Sequence, residues 1–392
     1  MKQYQINSKK AAGAAVSVLC GLFLLSCCSP SYKKMSAAEL EAVEYVPLQD
    51  AGWEVSTPAA EGIDPAQIAR LYGNAADLKS NYGLLVVKNG KLIAEDYFHS
   101  SSAARPELVQ SVTKSYTSAL FGIAMGQGII GSVDEPMMKY FPDLAGGVAD
   151  SRKNEITLEQ LLQMRAGFPW EESSAELFNV LYSGFHYSTL LKVPLVRDPG
   201  SDFDYSNLSS HILAIILTEA CGTDLLEFAD ANLNDKIGIR PAKWTKAWEG
   251  YRTGHAELYL TARDMARFGQ LYLDRGKFNG EQIIPESWVE KSFGIYSKDA
   301  WKYRVGRNFR DIGYGYQWWS IKSGSYRYHL AWGHGGQQIA IIDELDMVIV
   351  LTADSLWGQH GSGPWKLEKA NLNLIADFIA GLPPADEKGD VK

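Results

Sequence analysis

Ser111 and Lys114 stand three residues apart at the beginning of the apolar stretch SVTKSYTSALFGIAMG. Residues three apart lie on one face of an α-helix, so the Lys114 amine can reach the Ser111 hydroxyl. A neutral lysine can take a proton from serine, and burial lowers the pKa of a lysine toward its neutral state. The pair therefore fits a nucleophile with its base. The same spacing at Ser31 and Lys34, in a polar N-terminal segment, shows that the pattern by itself also fits an ordinary turn.

A second polar group, Tyr205-Ser206-Asn207, directly precedes a helical pattern. A tyrosine beside a lysine can carry a proton, and an asparagine amide can hold a substrate carbonyl. Taken alone, the group fits equally a loop that ends in a helix cap. The chemical interpretation assigns Tyr205 to proton transfer and Asn207 to substrate binding.

A third group, His334-Gly335-Gly336-Gln337, lies between two β-strand patterns near the C-terminus. Adjacent glycines allow a backbone to approach a ligand closely. The N–H of Gln337 would then point into a cleft and, together with the N–H of Ser111, would form an oxyanion hole. The structural alternative is a tight turn between two strands.

The helices and strands that must position these three polar groups are predicted to form an α+β fold. Asp64 and Pro65 are typical of a helix start, and Asn89-Gly90 predicts a hairpin between two strands. Further strands are predicted over 325–331, 338–343 and 347–352, followed by a helix over 365–380. Helix patterns dominate between Ser111 and about Tyr303. We therefore expect an antiparallel sheet built from both chain ends, flanked by helices, with a large, mostly helical insertion.

The predicted domain runs over 51–385, and the N-terminus before it is expected to be processed. We expect a sheet lobe over about 51–105 and 304–385 and a helical lobe over about 106–303, with the site where they meet. Lysines followed by a short apolar run predict a signal peptide over 1–26.

The end of that signal, Leu24-Leu25-Ser26-Cys27, resembles the bacterial lipobox, so Cys27 is expected to carry lipid. Residues 27–50 would then be a lipid-anchored tether. The protein would contact a membrane through this anchor and lie in the bacterial cell envelope, outside the cytoplasm.

The three groups occur in the order that marks the penicillin-recognising serine hydrolases. The chain resembles that family through Ser111-x-x-Lys114, Tyr205-x-Asn207 and His334-Gly335-Gly336. The resemblance covers about 53–382 and is greatest to the branch of class C β-lactamases, esterases and 6-aminohexanoate-dimer hydrolases. It implies a β-lactamase/transpeptidase-like fold.

The resemblance also implies an acyl-enzyme mechanism that uses neither a metal nor a cofactor. Ser111 would be acylated, and Lys114 and Tyr205 would share the proton transfers, either of them taking the serine proton. Asn207 and His334 would orient the substrate. In β-lactamases and transpeptidases the third motif usually begins with a lysine that holds the substrate carboxylate, whereas this chain has His334. That departure favours a small ester or amide as substrate.

Aromatic residues over 168–187, together with Trp318 and Trp319, predict the wall of an apolar pocket. Glu171 and Glu172, in the same region, are interpreted as solvated loop charges.

Composition and missing motifs exclude several other classes of function. The chain of 392 residues has a net charge of −8 and no basic stripe, so a nucleic-acid partner is not expected. Its histidines are scattered, which predicts no metal site, and a Gly-x-Ser-x-Gly elbow is missing. Two alternatives remain. One is a β-lactamase or D-amino-acid peptidase, and the other is a non-catalytic envelope binding module, which the presence of Ser111, Lys114 and Tyr205 disfavours.

Overall fold

The structure is a computed structural model that describes residues 34–49, 52–144, 146–182, 186–247, 249–357 and 363–384. The α-helices are α1 (Ala37–Glu41), α2 (Pro65–Ala76), α3 (Val112–Gly126), α4 (Leu158–Leu162), α5 (Ala175–Tyr182), α6 (Asn207–Cys221), α7 (Leu225–Ala229), α8 (Asp235–Ile237), α9 (Ala262–Leu273), α10 (Glu286–Phe293) and α11 (Gly363–Ala380). The strands are β1 (Asn81–Lys88), β2 (Lys91–Tyr97), β3 (Glu107–Leu108), β4 (Lys243–Trp244), β5 (Leu258–Leu260), β6 (Lys277–Phe278), β7 (Glu281–Gln282), β8 (Arg310–Tyr314), β9 (Trp319–Ser323), β10 (Tyr326–Gly333), β11 (Gln337–Ile342) and β12 (Met347–Ala353).

The predicted signal peptide and Cys27 lie outside the described residues, so both stay predictions. Within the described part of the chain, none of the helices is both long and apolar enough to span a membrane.

Seven strands form one antiparallel sheet in the order β2-β1-β12-β11-β10-β9-β8. Strand β1 comes early in the chain and pairs with β12 near its end, with Leu84 opposite Leu351 and Val87 opposite Val348. The expected antiparallel sheet built from both chain ends is confirmed. Strands β8 and β9, which the sequence analysis did not predict, extend the sheet beyond β10.

Both faces of the central strands are buried because helices cover each of them. Along β12, Val348 and Val350 join one hydrophobic cluster, whereas Ile349 and Leu351 join the other. Side chains alternate between the two faces of a strand, so a strand covered on both faces is apolar throughout. The first cluster includes side chains of α3, α6 and α9 from the insertion, and the second includes those of the terminal helices α2 and α11.

Local sequence signals at the N-terminal helix and hairpin behave as predicted. Asp64 caps α2 by accepting a hydrogen bond from the Ala66 N–H, and Pro65 occupies the first helical position. In the β1–β2 turn Asn89 has φ 52° and Gly90 has φ 74°. A two-residue hairpin turn of this type requires positive φ at both positions, which Asn and Gly tolerate best.

Residues 34–49 pack against the folded domain, so the expected tether does not extend through them. Helix α1 lies against α2. The Glu95 N–H donates to the Tyr45 carbonyl at 2.9 Å, and the Leu48 N–H donates to Glu95 Oε2 at 2.9 Å. Strand β2 is an edge of the sheet, and these hydrogen bonds cover part of that edge.

Candidate active site

Ser111 occupies the N-cap position of α3, yet its side chain does not cap the helix. Lys114 Nζ lies 2.9 Å from Ser111 Oγ instead. Gln110, directly before the serine, has φ 50°, a left-handed conformation that residues other than glycine seldom adopt. An ordinary polar turn would have used the hydroxyl as a cap. The structure therefore favours the interpretation of Ser111 and Lys114 as a chemical pair.

Lys114 Nζ is enclosed by acceptors inside the protein. The residue is 2% exposed, and Nζ donates to Asn207 Oδ1 at 2.7 Å and to the His255 carbonyl at 2.9 Å, in addition to Ser111. These contacts hold the amine in place beside the serine hydroxyl.

Burial lowers the pKa of Lys114 to about 7, although the nearby carboxylates of Glu172 and Glu171 oppose the shift. An unperturbed lysine has a pKa of about 10.4, so its amine is almost fully charged at neutral pH. Burial also holds the pKa of neighbouring His255 well below its usual value, with a further contribution from Lys114, so this imidazole is uncharged. A large neutral fraction of Lys114 is therefore present at neutral pH and can accept a proton.

Tyr205 brings its phenol ring to the same place. The ring centroid lies 4.9 Å from Lys114 Nζ, and the ring stacks on Trp319 with centroids 5.7 Å apart. Tyr205 and Ser111 line one cavity. The structure thus brings together the three residues to which the sequence analysis assigned the proton transfers and the nucleophilic attack.

Asn207 contacts the lysine, in contrast to its expected contact with the substrate. Its Oδ1 accepts from Lys114 Nζ, and its Nδ2 donates to Glu172 Oε1 at 3.0 Å. The residue is only 2% exposed. In this structure the amide positions Lys114, and a role in holding a substrate carbonyl stays a prediction.

The interpretation of Glu171 as a solvated loop charge is wrong. Glu171 is 2% exposed and accepts hydrogen bonds from Ser206 Oγ at 2.7 Å and from the backbone N–H groups of Asn207 and Leu208, each at 2.9 Å. The first N–H groups of a helix need acceptors, and the carboxylate supplies one at the N-terminus of α6. Burial raises the pKa of Glu171, and these hydrogen bonds oppose that shift. Glu172 is exposed but lines the cavity.

Replacing Glu171 with alanine is expected to disturb this turn and the residues on it. Three donors would lose their acceptor, and each unsatisfied buried group costs about 1–3 kcal/mol. We expect a lower melting temperature together with a lower kcat, because Tyr205 and Asn207 belong to the same turn. Differential scanning calorimetry and ester hydrolysis measure the two effects. Glu176→Ala, at an exposed position of α5, is the control, and unchanged stability and kcat in Glu171→Ala would contradict the assignment.

His334, Gly335 and Gly336 form the turn between β10 and β11, at the edge of the cavity. The two glycines have φ 83° and 97°, and a Cβ on Gly335 would lie 2.6 Å from Ser355 Cα. His334 Nδ1 lies 2.8 Å from Glu368 Oε2. That carboxylate raises the pKa of His334. The histidine is therefore cationic at higher pH than usual, but its charge is paired.

Gln337 begins β11 opposite Gly333 of β10. Its side chain is buried, with Nε2 donating to the Ala353 carbonyl and Oε1 accepting from the Ala353 N–H at 3.0 Å. Gly333 lies directly against the segment before Ser111, since a Cβ on Gly333 would overlap the Val109 carbonyl oxygen. The end of β10 and the start of α3 are therefore adjacent, as an oxyanion hole between Ser111 and Gln337 requires.

The groups face one cavity of about 460 Å³. Its lining residues are Ser111, Trp170, Glu172, Tyr205, Trp301, Tyr303, Trp319, Trp332, His334, Trp365 and Glu368. Cavities that bind small molecules usually have volumes of about 300–1,000 Å³. The cavity can therefore hold a small substrate with its reactive carbonyl at Ser111.

The predicted aromatic wall is correct only in part. Trp170, from the stretch 168–187, and Trp319 line the cavity, whereas Trp318 is buried in the hydrophobic core. Residues 183–185 of that stretch lie outside the described residues.

Most of the aromatic wall comes from residues that the sequence analysis missed. Trp301, Tyr303, Trp332 and Trp365 come from a loop, a strand and the last helix. Trp332 could have been selected, because it lies two residues before His334. The others carry no local signal, and neither does Glu368, which lies within the predicted C-terminal helix.

The sequence profile of the family described as Beta-lactamase matches residues 80–359, which include all three motifs. The chain therefore belongs to the Beta-lactamase family, and it is a serine hydrolase. Together with the sheet described above, this membership confirms the expected β-lactamase/transpeptidase-like α+β fold.

Among known proteins, the chain is similar to the 6-aminohexanoate-dimer hydrolase of Paenarthrobacter ureafaciens, at 25% identity over 294 residues that cover 72% of this chain and 74% of that protein. It is also similar to the D-alanyl-D-alanine-carboxypeptidase/endopeptidase AmpH of Escherichia coli K12, at 23% identity, with 52% of this chain and 59% of that protein covered. The crystal structure of the D-amino acid amidase from Ochrobactrum anthropi SV3 shares the fold, with a TM-score of 0.59 and 15% identity over 80% of this chain and 100% of that chain.

Proposed function

We propose that the protein hydrolyses a small ester or amide through an acyl-enzyme on Ser111. The observation that carries the proposal is the buried Lys114 Nζ at 2.9 Å from Ser111 Oγ, at the wall of a cavity of substrate size. Neutral Lys114 takes the hydroxyl proton while Oγ attacks the substrate carbonyl carbon. The backbone N–H groups of Ser111 and Gln337 then stabilise the oxyanion.

Collapse of the tetrahedral intermediate breaks the bond between the carbonyl carbon and the leaving group. The leaving alcohol or amine receives a proton through Tyr205, and the proton taken up by Lys114 replaces it. Water then attacks the acyl carbon and gives a proton to Lys114. The acid departs as Ser111 Oγ recovers a proton from the lysine, which restores the starting state.

The substrate preference rests on a relative and on the third motif. The relative from Paenarthrobacter is named a 6-aminohexanoate-dimer hydrolase, which supports amide or ester hydrolysis. The name of AmpH supports the alternative of a cell-wall peptidase. In this chain, however, the histidine that replaces the usual lysine is paired with Glu368, so its charge is not available to a substrate carboxylate. This pairing favours the first candidate.

Intact-protein mass spectrometry tests the proposal. The protein is incubated separately with a p-nitrophenyl ester, a β-lactam and a fluorophosphonate, and each adduct is mapped by peptide analysis. We expect a stable fluorophosphonate adduct on Ser111 and an ester adduct there that turns over. A turned-over β-lactam adduct with no ester hydrolysis would favour the alternative. No Ser111 adduct with any of the three reagents would overturn the proposal.

The rate of ester hydrolysis is expected to rise with pH through about 7, because Lys114 is a base only when its amine is neutral. Burial lowers the pKa of Lys114 to about 7, and this pKa sets the pH at which the rate rises. Below the pKa, kcat/KM should fall about tenfold per pH unit, and above it kcat/KM should level off. Initial rates between pH 5 and pH 9 on an uncharged ester measure the profile.

Glu368 raises the pKa of His334, which is a second titratable group at the cavity. The profile is therefore measured again in His334→Gln. If Lys114 is the base, the rising limb stays near pH 7 in this variant. A limb that disappears in His334→Gln, or a flat profile in the wild type, would contradict the assignment.

We also propose that Cys27 carries a lipid anchor and that the protein lies in the bacterial cell envelope. The support is the lipobox-like Leu24-Leu25-Ser26-Cys27 after a short apolar run. Cys27→Ser is expected to move the protein from the membrane fraction to the soluble fraction. Cys28→Ser, one residue later, is the matched control and should stay with the membrane. An unmodified Cys27 in membrane-bound protein would refute the anchor.

A further inference from the structure

The turn between β10 and β11 contains two consecutive glycines in a left-handed conformation. Gly335 has φ 83° and Gly336 has φ 97°. Glycine adopts such angles freely, and the same freedom leaves a pair of glycines with little stiffness of its own. Within the turn, the Gly336 N–H donates to the Gly333 carbonyl at 3.0 Å. The direction of the Gln337 N–H, the second donor of the proposed oxyanion hole, therefore depends on how this turn is held.

Two side chains of the C-terminal helix α11 bind the backbone of this turn. Glu368 and Asn371 are three positions apart, so they lie on the same face of the helix. The Gly335 N–H donates to Glu368 Oε2 at 3.0 Å, and the Gly335 carbonyl accepts from Asn371 Nδ2 at 3.0 Å. Both polar groups of the Gly335 backbone are therefore bound to α11.

Glu368 also binds the side chains on either side of Gly333. Trp332 Nε1 donates to Glu368 Oε1 at 2.8 Å, and His334 Nδ1 lies 2.8 Å from Glu368 Oε2. The glutamate is buried, at 4% exposure. Hydrogen bonds to an ionised acceptor are stronger than those between neutral groups. One carboxylate thus joins the end of β10 to the turn that follows it.

Asn371 packs closely against the second glycine of the turn. It is fully buried, and a Cβ on Gly336 would lie 2.5 Å from Asn371 Cβ. The Asn371 carbonyl accepts from Gln338 Nε2 at 2.9 Å, which links the same residue to the start of β11. The turn is therefore in direct contact with α11 and has no room to move toward the helix.

Helix α11 is itself held in place by the hydrophobic core. Leu372, Leu374 and Ile375 belong to the second hydrophobic cluster, and each is at most 2% exposed. Functional groups supported by helices and strands are placed more precisely than those supported by loops. The helix can therefore give the turn the rigidity that its own glycines lack.

We propose that Glu368 and Asn371 are positioning residues that hold the turn between β10 and β11 so that the Gln337 N–H points at the oxyanion. This inference rests on the proposed acyl-enzyme on Ser111 and adds the residues that support its oxyanion hole. An oxyanion donor acts only when it is aligned with the oxygen of the transition state. A misplacement of 1 Å can lower a rate by about 10²-fold.

Two variants of nearly unchanged shape weaken the bonds to Gly335. Glu368→Gln replaces one acceptor oxygen with an amide nitrogen that accepts no hydrogen bond, and Asn371→Asp removes the Nδ2 donor. We measure kcat/KM for p-nitrophenyl acetate and for its thiono analogue, in which sulfur replaces the carbonyl oxygen. Sulfur accepts only weak hydrogen bonds, so the thiono ester gains little from an oxyanion hole.

Each variant should lower kcat/KM for the oxygen ester by about tenfold or more, and kcat/KM for the thiono ester by less. The ratio of the two values should therefore fall in both variants. A role confined to stability would lower both values by the same factor and leave the ratio unchanged. Because the ratio does not depend on the fraction of enzyme that is folded, a partly unfolded variant still gives a result.

Asn373→Asp is the matched control on the same helix. Asn373 is also buried, at 7% exposure, but its Nδ2 donates to the carbonyls of Val305 and Lys369. This variant should have a lower melting temperature and the wild-type ratio. A wild-type ratio in both Glu368→Gln and Asn371→Asp would overturn the inference, and so would an equal decrease in Asn373→Asp.

Fluorophosphonate labelling of the wild-type protein separates this inference from the proposed function. Mass spectrometry of the labelled peptides reports whether Ser111 is the nucleophile. An adduct on Ser111 together with unchanged ratios in the two variants would refute the positioning role and leave the serine hydrolase proposal standing. A wild-type protein without an adduct on Ser111 would overturn both.

Discussion

Replacing Ser111 with alanine is expected to lower kcat/KM for p-nitrophenyl esters by about 10⁴-fold or more, because the acyl group then has no point of attachment. The fold should survive the change. The hydroxyl makes no capping bond to the described backbone of α3, and its partner, Lys114, keeps two other acceptors. Initial rates measure the loss, and circular dichroism melting curves measure the stability.

Ser118→Ala is a matched control for this variant. Ser118 lies on the same helix, one turn beyond Lys114, and is buried away from the cavity. It should keep wild-type rates and form the fluorophosphonate adduct on Ser111. A Ser111→Ala variant that retains wild-type turnover would show that the nucleophile lies elsewhere.

Replacing Lys114 with methionine is expected to lower kcat by about 10²–10⁴-fold, the usual contribution of a general base. Methionine is unbranched and fills the buried space of the lysine stem without an amine. Ser111 would remain in place but would lose its proton acceptor. The rise of the rate near pH 7 should disappear together with the activity, and stopped-flow acylation measures both.

Lys153→Met separates loss of the base from loss of a buried lysine. Lys153 is also 2% exposed, and burial lowers its pKa too, but it lies in the short helix Ser151–Glu155, away from the cavity lining. Its replacement should leave the rate and the pH profile unchanged. Equal losses in both variants would contradict a specific role for Lys114.

Local signals in the sequence predict much of the fold because they depend on few neighbours. Asn89-Gly90 predicts its hairpin through backbone freedom at two positions, and the apolar run over 347–352 predicts the strand β12. Strands β8 and β9 were missed because their residues mix glycine, aromatic and polar types. Their extended form depends on the pairing of β9 with β10 and of β8 with β9, which a local pattern does not contain.

The same distinction holds for the candidate site: contacts between residues close in sequence are predictable, and contacts between distant segments are not. Ser111 and Lys114 are three positions apart, so helix geometry alone predicts their contact. Glu171 contacts the start of α6, and Glu368 contacts His334, across long stretches of chain. The sequence alone does not distinguish a buried glutamate from an exposed one, and most glutamates in folded proteins are exposed. Trp301, Tyr303 and Trp365 were missed because they come to the cavity from distant segments, which a local pattern does not connect.

The close contact of Gly333 with the Val109 carbonyl has a consequence for the order of events during synthesis. Ser111 and Lys114 leave the ribosome early, whereas β10 and β11 belong to the last part of the chain. Pairing between such distant segments is slow and must wait until both have been made. A nascent chain therefore contains Ser111 and Lys114 before it contains β11. The two N–H donors of the proposed oxyanion hole, on Ser111 and Gln337, can come together only after that strand has been synthesised.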